Sequence, residues 1–310
     1  MDRKKSDAMS TRKAFVILLL LMPLAGFAEH LFEAGLHGGL SGWDAQPVYV
    51  DRQVGFNGGL QVLYTYLSPR VIGVRTGAMF DCHNAGFGKT NYEDHYSTID
   101  VEGDKMSVEY TIGRLNERQQ IWSVGVPLQL AFSKKRFTFL AGAKAVFPLS
   151  NSWKQTVEHA SLAVYYEAYE NRVEKSYPLA AERDFRMSNS GKWNLPKVQW
   201  WLALELNYAI PVNTWADKYR SYVMVGAYFD YCFSKILMPG SERESLIMLT
   251  DTRSGFPLSR ILTPIAEASR QGRKLVKDAA LFDVGIKISY AIAPYDAHRN
   301  AKMACKCLGE

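Results

Sequence analysis

Glu33, His37, Gln61, Arg75, Lys144, Glu205, Asp283 and Lys287 are the side chains of this chain best placed to act together. Each lies on the polar face of a segment whose other face is apolar. If those faces enclose one interior, three acids and three bases meet there, and a buried charge must be paired. Such a set either fills the interior as a salt-bridged plug or lines a gated polar path. Lys144, Glu205, Asp283 and Lys287 are expected to pair with one another. His37, alone among glycines, reads as a hydrogen-bonded interior residue rather than a base or a ligand.

Three other groupings carry the residue types of catalysis or metal binding. His159-Ala160-Ser161, with Glu158 beside it, has the spacing of the His-x-Ser pair and Glu used by lipid A deacylases. Only three residues match, and they fall in an expected outer loop rather than beside an acyl chain. Asp81, His83 and Asp94 group loosely, with no spacing that specifies an omptin-like protease. The chain is therefore read as a non-enzyme with no catalytic residue. Cys305-Lys306-Cys307 with His298 upstream is an incomplete tetrahedral set, so neither a metal nor a cofactor is expected. Four cysteines in 310 residues are too few for a disulfide scaffold.

The elements that position the polar set repeat every two residues. In Gln120–Ser133, Trp122, Val124, Val126, Leu128, Leu130 and Phe132 share one face, and Ser123, Gly125, Gln129 and Ser133 lie on the other. Lys197–Ile210 repeats the pattern with Val198, Trp200, Leu202, Leu204, Leu206, Tyr208 and Ile210. Ala280–Tyr290 repeats it with Phe282, Val284, Ile286, Ile288 and Tyr290. Period-two alternation makes strands with two unlike faces. A soluble sandwich alternates too, but the strand length, the aromatic ends and the unequal loops describe a transmembrane barrel.

Residues 1–28 read as a secretory signal peptide. Arg3, Lys4, Lys5, Arg12 and Lys13 precede the apolar Ala14–Leu24, which is too short to span a bilayer, and Gly26 and Ala28 suit a peptidase. Removing this segment leaves 32 basic and 29 acidic residues, so the formal charge falls from +6 to +3. The sequence pI near 9.0 therefore owes much to the leader, and no nucleic-acid partner is expected. A mean hydropathy of −0.16 fits a barrel, where half of each strand is polar.

Strands are expected at Leu31–Gly42, Val54–Leu67, Val71–Cys82, Gln120–Ser133, Arg136–Leu149, Lys197–Ile210, Arg220–Phe233 and Lys277–Ile292. Short connections, at Ser68–Arg70, Lys134–Lys135 and Pro211–Tyr219, alternate with long ones at Trp43–Gln53, His83–Gln119, Ser150–Pro196 and Ser234–Val276. Short periplasmic turns and long outer loops predict an all-β, eight-stranded, antiparallel up-and-down transmembrane β-barrel. The barrel is placed at 29–292, with a short periplasmic tail at 293–310. The long loops carry Tyr165, Tyr166, Tyr169, Tyr177, Trp193, Arg253, Arg260, Arg270, Arg273 and Lys274. These types suit a recognition surface or anionic head groups.

Asp283, Gly285, Ile288 and Tyr290 in the last strand resemble the barrel-assembly signal, although the chain continues to Glu310. With Phe32-Glu33-Ala34-Gly35-Leu36-His37-Gly38-Gly39 and Phe56-Asn57-Gly58-Gly59-Leu60, the chain resembles small outer-membrane barrels of the OmpA/OmpX type, in the version common among Bacteroides-like bacteria. That resemblance implies a Gram-negative outer-membrane location after signal cleavage. The partners it implies are outer-membrane lipids, lipopolysaccharide and the barrel-assembly machinery. Ala293–Glu310 is too short for the peptidoglycan-binding domain of two-domain members. The expected role is structural or surface-interacting, with a narrow porin-like channel as the alternative and a membrane-embedded lipid hydrolase as the second alternative.

Overall fold

A computed structural model describes residues 29–47, 49–68, 72–99, 103–166, 171–173, 185–193, 195–212, 219–234, 245–247, 262–265, 267–270 and 273–294. The expected signal peptide lies outside the described residues, as do 295–310 of the tail, Tyr169, Tyr177, Arg253 and Arg260.

Eight strands close a ring: β1 (Glu29–Pro47), β2 (Gly55–Leu67), β3 (Ile72–Ile99), β4 (Lys105–Lys134), β5 (Phe137–Tyr166), β6 (Gln199–Val212), β7 (Tyr219–Cys232) and β8 (Val276–Pro294). Each pairs antiparallel with its neighbours in sequence, and β8 returns to β1 with Gly39 opposite Gly285. The fold is an eight-stranded up-and-down barrel. At the seam, a Cβ on Gly39 would lie 2.1 Å from the Val284 carbonyl oxygen, and one on Gly285 would lie 2.3 Å from that of Gly38. Only glycine fits this close approach of backbones.

The outward face carries an apolar belt. On β4 it runs from Trp122 to Phe132, near the 9–11 residues a tilted strand needs to cross a bilayer. Leu36, Phe56, Leu60, Leu128 and Ile286 belong to it, each more than half exposed. The outermost aromatics on this wall, Phe80 and Trp122, stack at 5.5 Å. The residues expected to point inward are buried in the lumen instead.

The structure corrects three of the expected loops: in Trp43–Gln53, β1 runs on to Pro47 and Asp51–Gln53 pairs with β3. Much of His83–Gln119 and Ser150–Pro196 is strand, because β3, β4 and β5 run on past the belt as a three-stranded tower. At the belt's edge the pattern inverts. Outward residues turn polar at Gln120, Arg118, Asn116 and Arg114, while inward ones turn apolar at Ile121 and Leu115. The apolar-outward run ends there, but the hydrogen-bonded ladder does not. β6 leaves β5 at the rim, where Gln199 pairs with Val146. Phe185–Gly191 then takes its place beside β5, pairing Gly191 with Trp153 and Phe185 with Ala160.

A second irregularity crosses the tower in one row. Asn91 and His159 adopt positive φ of 53° and 55°, in register on either side of Gly113. Below the row, Leu115, Glu117 and Gln119 face inward; above it, Met106, Val108, Tyr110 and Ile112 do. The facing therefore changes parity on all three strands together, as a transverse line of bulges would make it. The tower's inner face builds an apolar core from Phe87, Tyr92, Tyr110, Trp153, Val157 and Trp193. Leu246, Ile247, Leu262, Ile265 and Ala268, from the expected fourth outer loop, pack inside it.

Replacing lipid-facing Leu206 by Arg is expected to destabilise the barrel by roughly 2–4 kcal/mol, as a charge near the midplane does. His95→Arg, on the tower's exposed outer face, should stay within about 0.5 kcal/mol of wild type. Urea midpoints of the refolded proteins in lipid compare the two, and equal midpoints would mean that Leu206 does not face the membrane.

Candidate functional site

The lumen holds two charge clusters, built by alternate residues of strands that are neighbours or face each other across the ring. In the first, Arg75 of β3 bridges Glu33 of β1 and Glu205 of β6, with Nη1 2.8 Å from Glu205 Oε2. Lys287 of β8 contacts Glu205 and stands 3.6 Å from Glu33. The remaining carboxylate lone pairs take donors from neutral side chains. Gln61 donates to Glu33 at 3.1 Å, Ser289 donates to Glu33 at 2.6 Å, and Gln129 donates to Glu205 at 3.2 Å.

The second cluster lies nearer the outer rim. Lys144 Nζ of β5 is 2.5 Å from Asp230 of β7 and 3.5 Å from Asp81 of β3, and it sits 5.3 Å from the Trp201 ring. His37 Nε2 lies 3.0 Å from Asp81, and His83 Nδ1 lies 2.7 Å from Asp283. Gly59 makes the His37–Asp81 contact possible: a Cβ there would stand 2.7 Å from the His37 ring and 2.8 Å from the Asp81 carboxylate. Tyr228 donates to Asn57 beside them.

The structure thus brings Glu33, Gln61, Arg75, Glu205 and Lys287 together, and separately His37, Lys144 and Asp283. The expected single set of Lys144, Glu205, Asp283 and Lys287 is divided. Lys144 meets Asp230 and Asp81, and Asp283 meets His83. Sequence reasoning missed Asp81 and Asp230 although both fall inside expected strands, and it placed His83 outside the lumen because the expected third strand stops at Cys82. Odd-numbered positions 75, 79, 81 and 83 share one face, so the signal was present in the alternation. Of the last-strand residues, Asp283 and Gly285 face the lumen, and Ile288 and Tyr290 face outward.

Above the belt, two polar hubs tie the inserted segments to the tower. Asp94 accepts from Tyr92, Tyr110 and Ser245 at 3.1–3.3 Å, and Arg270 Nε stands 3.9 Å from it. Arg270 also lies over Tyr49, at 4.5 Å. Expected as a surface residue, it packs inward because Asp94 offers its buried carboxylate. Trp193 is likewise buried in the tower core. Burial beside Asp94 pushes the Tyr92 and Tyr110 hydroxyls well above the ordinary range.

Glu117 is the second hub. Its carboxylate accepts from Gln119 at 2.7 Å, Gln155 at 3.3 Å and the Ile265 amide at 2.7 Å. Gln155 also donates to the Thr263 carbonyl at 3.1 Å. Burial pushes Glu117 up to about 7, against the opposing pull of the Ile265 and Gln119 donors. The catalytic candidates make no such constellation. Glu158 is held by Arg186 at 2.7 Å and Arg114 at 3.8 Å, while exposed His159 and Ser161 lie on the tower's outer face. Among the described residues, no cluster of three or more His, Cys, Asp or Glu side chains has the geometry to hold a metal.

A closed antiparallel ring with an apolar outer belt and a polar lumen is an integral outer-membrane β-barrel. No protein-family model matches the chain, and no curated protein does. Among solved structures it is similar to Ail, the attachment invasion locus protein of Yersinia pestis, at 9% identity and a TM-score of 0.29, over 85% of this chain and 98% of that one. The complex of Ail with the heparin analogue sucrose octasulfate aligns at 8% identity and a TM-score of 0.26, over 84% and 98%. CarO2 of Acinetobacter baumannii aligns at 12% identity and a TM-score of 0.19, over 82% and 99%. Scores this low say nothing about role, and the barrel assignment stands on the strand ring and its belt.

Two substitutions test the buried groups. Arg75→Leu leaves Glu33 and Glu205 sharing Lys287 alone and should destabilise the barrel by about 3–5 kcal/mol. A wild-type urea midpoint for this variant would show that the lumen pairs do not couple. For Glu117 the folded-state value lies above the ordinary carboxyl range, so between about pH 4.5 and 7 the folded protein keeps a proton that the unfolded chain has lost. Stability should therefore fall by about 3 kcal/mol as pH rises through that window. Glu117→Gln should remove this slope in a pH series of unfolding midpoints; identical slopes in both proteins would refute the assignment.

Proposed function

We propose that this outer-membrane barrel neither conducts nor catalyses, and that it holds a rigid β-tower outside the cell as a structural and surface-interacting element. The observation that carries this reading is the double filling of the lumen. Ion pairs cross it within the membrane, and the tower's apolar core, completed by Leu246, Leu262 and Ile265, fills it above. A porin-like path would have to pass Arg75 and Lys144, each flanked by acids from other strands. An eight-stranded ring leaves an interior that side chains are able to fill.

The hydrolase reading finds little support. Glu158 serves two arginines, and His159 takes a left-handed backbone on the outer surface of the tower rather than at the belt. Kinship with the OmpA/OmpX type, signal cleavage after Ala28 and assembly through the last strand belong to the same proposal. They rest on the Gly-rich openings, the charged and apolar N-terminal run, and the Asp283–Tyr290 pattern.

The purified barrel in planar bilayers is expected to give no discrete openings. Regular single-channel steps from the wild-type protein would overturn the non-conducting reading and favour the channel.

A further inference from the structure

The tower's outer wall, just above the apolar belt, is basic in a way that the fold does not require. Arg118 of β4 and Lys154 of β5 are directly opposite each other on adjacent strands, and both are exposed. Like charges in that position repel, and among the described residues neither has an acidic partner. Two residues further along each strand, Asn116 faces Thr156; beyond them, Arg114 faces Glu158. Arg114, Asn116, Thr156, Glu158 and Arg186 line a surface depression of about 290 Å³. Its single acid, Glu158, is already shared by Arg186 at 2.7 Å and Arg114 at 3.8 Å. The wall from Arg118 to Arg186 thus carries a net positive charge with polar donors between the cations. The acids Glu93 and Glu109 lie beyond the Asn91–Gly113–His159 row.

Height decides what meets this wall. Arg118 is four residues past the interfacial Trp122, roughly 13 Å along the strand at about 3.3 Å per residue and less once tilt is allowed for. That is the zone of lipid head groups, directly above the acyl chains that the belt contacts. We propose that this wall binds the phosphate groups of outer-leaflet glycolipids. Arg118 and Lys154 supply the charge, and the Arg114–Arg186 depression takes a second anionic or hydroxyl-bearing part of the head group. Arginine forks match phosphate oxygens bidentately, and the flanking Asn116 and Thr156 offer neutral hydrogen bonds. The inference rests on the outer-membrane reading, which sets the height of the wall.

The test uses the full mature barrel in detergent, with native mass spectrometry reading retained diphosphorylated lipid A against its dephosphorylated counterpart. Wild type should retain the diphosphorylated form selectively. The double variant Arg118→Gln/Lys154→Gln should bind it roughly thirtyfold more weakly, about what two basic side chains near a charged lipid surface supply. Arg52→Gln/Lys89→Gln removes the same charge from cations that already face Asp44 and Asp51, and it should bind as wild type does. Equal loss in both double variants, or no preference for the phosphorylated lipid, would overturn the proposal. Soluble tripolyphosphate that binds as tightly as the lipid would also overturn it, because a free anion would then be the ligand. A tag placed between Glu174 and Asp184 reports orientation separately on intact cells. Exposure at the surface supports the proposal; a periplasmic tag would defeat the topology on which it depends, even if phosphate selectivity held in detergent.

Discussion

Hydrocarbon offers no hydrogen bonds, so every backbone N–H and C=O in the membrane must find its partner inside the protein, and a sheet there must have no free edge. The β1–β8 seam meets that demand here, and much else follows from it. Closing a ring of only eight strands brings β1 and β8 so near that Gly38, Gly39 and Gly285 stand backbone against backbone. The same small circumference leaves a lumen that side chains fill. Polar residues on eight inward faces then meet one another rather than water.

That crowding explains why the lumen charges form pairs across the ring rather than along a strand. Arg75 spans two acids from β1 and β6, and Lys144 spans two from β3 and β7. Each cluster joins at least four strands, so the charges fix the shear and register of the ring as well as its interior. Gly59 shows how local the requirement is: one missing Cβ lets His37 reach Asp81.

Outside the membrane the solvent changes, and the sheet changes its faces with it. Once water lies beyond the wall, the apolar side must turn inward, and the tower becomes a small soluble-type core set on a membrane barrel. Segments from the expected fourth outer loop complete that core because β3, β4 and β5 alone would leave Tyr110, Val157 and Leu115 uncovered. Glu117 anchors these segments by accepting from the Ile265 amide and Asp94 by accepting from the Ser245 hydroxyl, while the Tyr110 hydroxyl accepts from the Leu246 amide. The outer wall, left to solvent, carries the basic residues Arg114, Arg118, Lys154 and Arg186.

The eight-stranded barrel, the facing of Trp122–Phe132 and Leu202–Ile210, and the inward placement of Glu33, Arg75, Glu205 and Lys287 were legible in the sequence, because period-two alternation is a local property that any short window carries. The strand ends were not. Inversion of the pattern at Gln120 looks like a strand end when only the apolar-outward face is followed, although Met106, Val108, Tyr110 and Ile112 alternate just as regularly. The Asn91–Gly113–His159 row hid the continuity further by shifting parity. Partner choice was beyond any window. That Lys144 meets Asp230, that His83 meets Asp283, and that Arg270 turns inward to Asp94 depend on which strands the closed ring brings face to face, and on segments 245–247 and 262–270 folding back into the tower. Sequence sets the face of each side chain through the pleat of its own strand; only closure of the ring sets what that face meets.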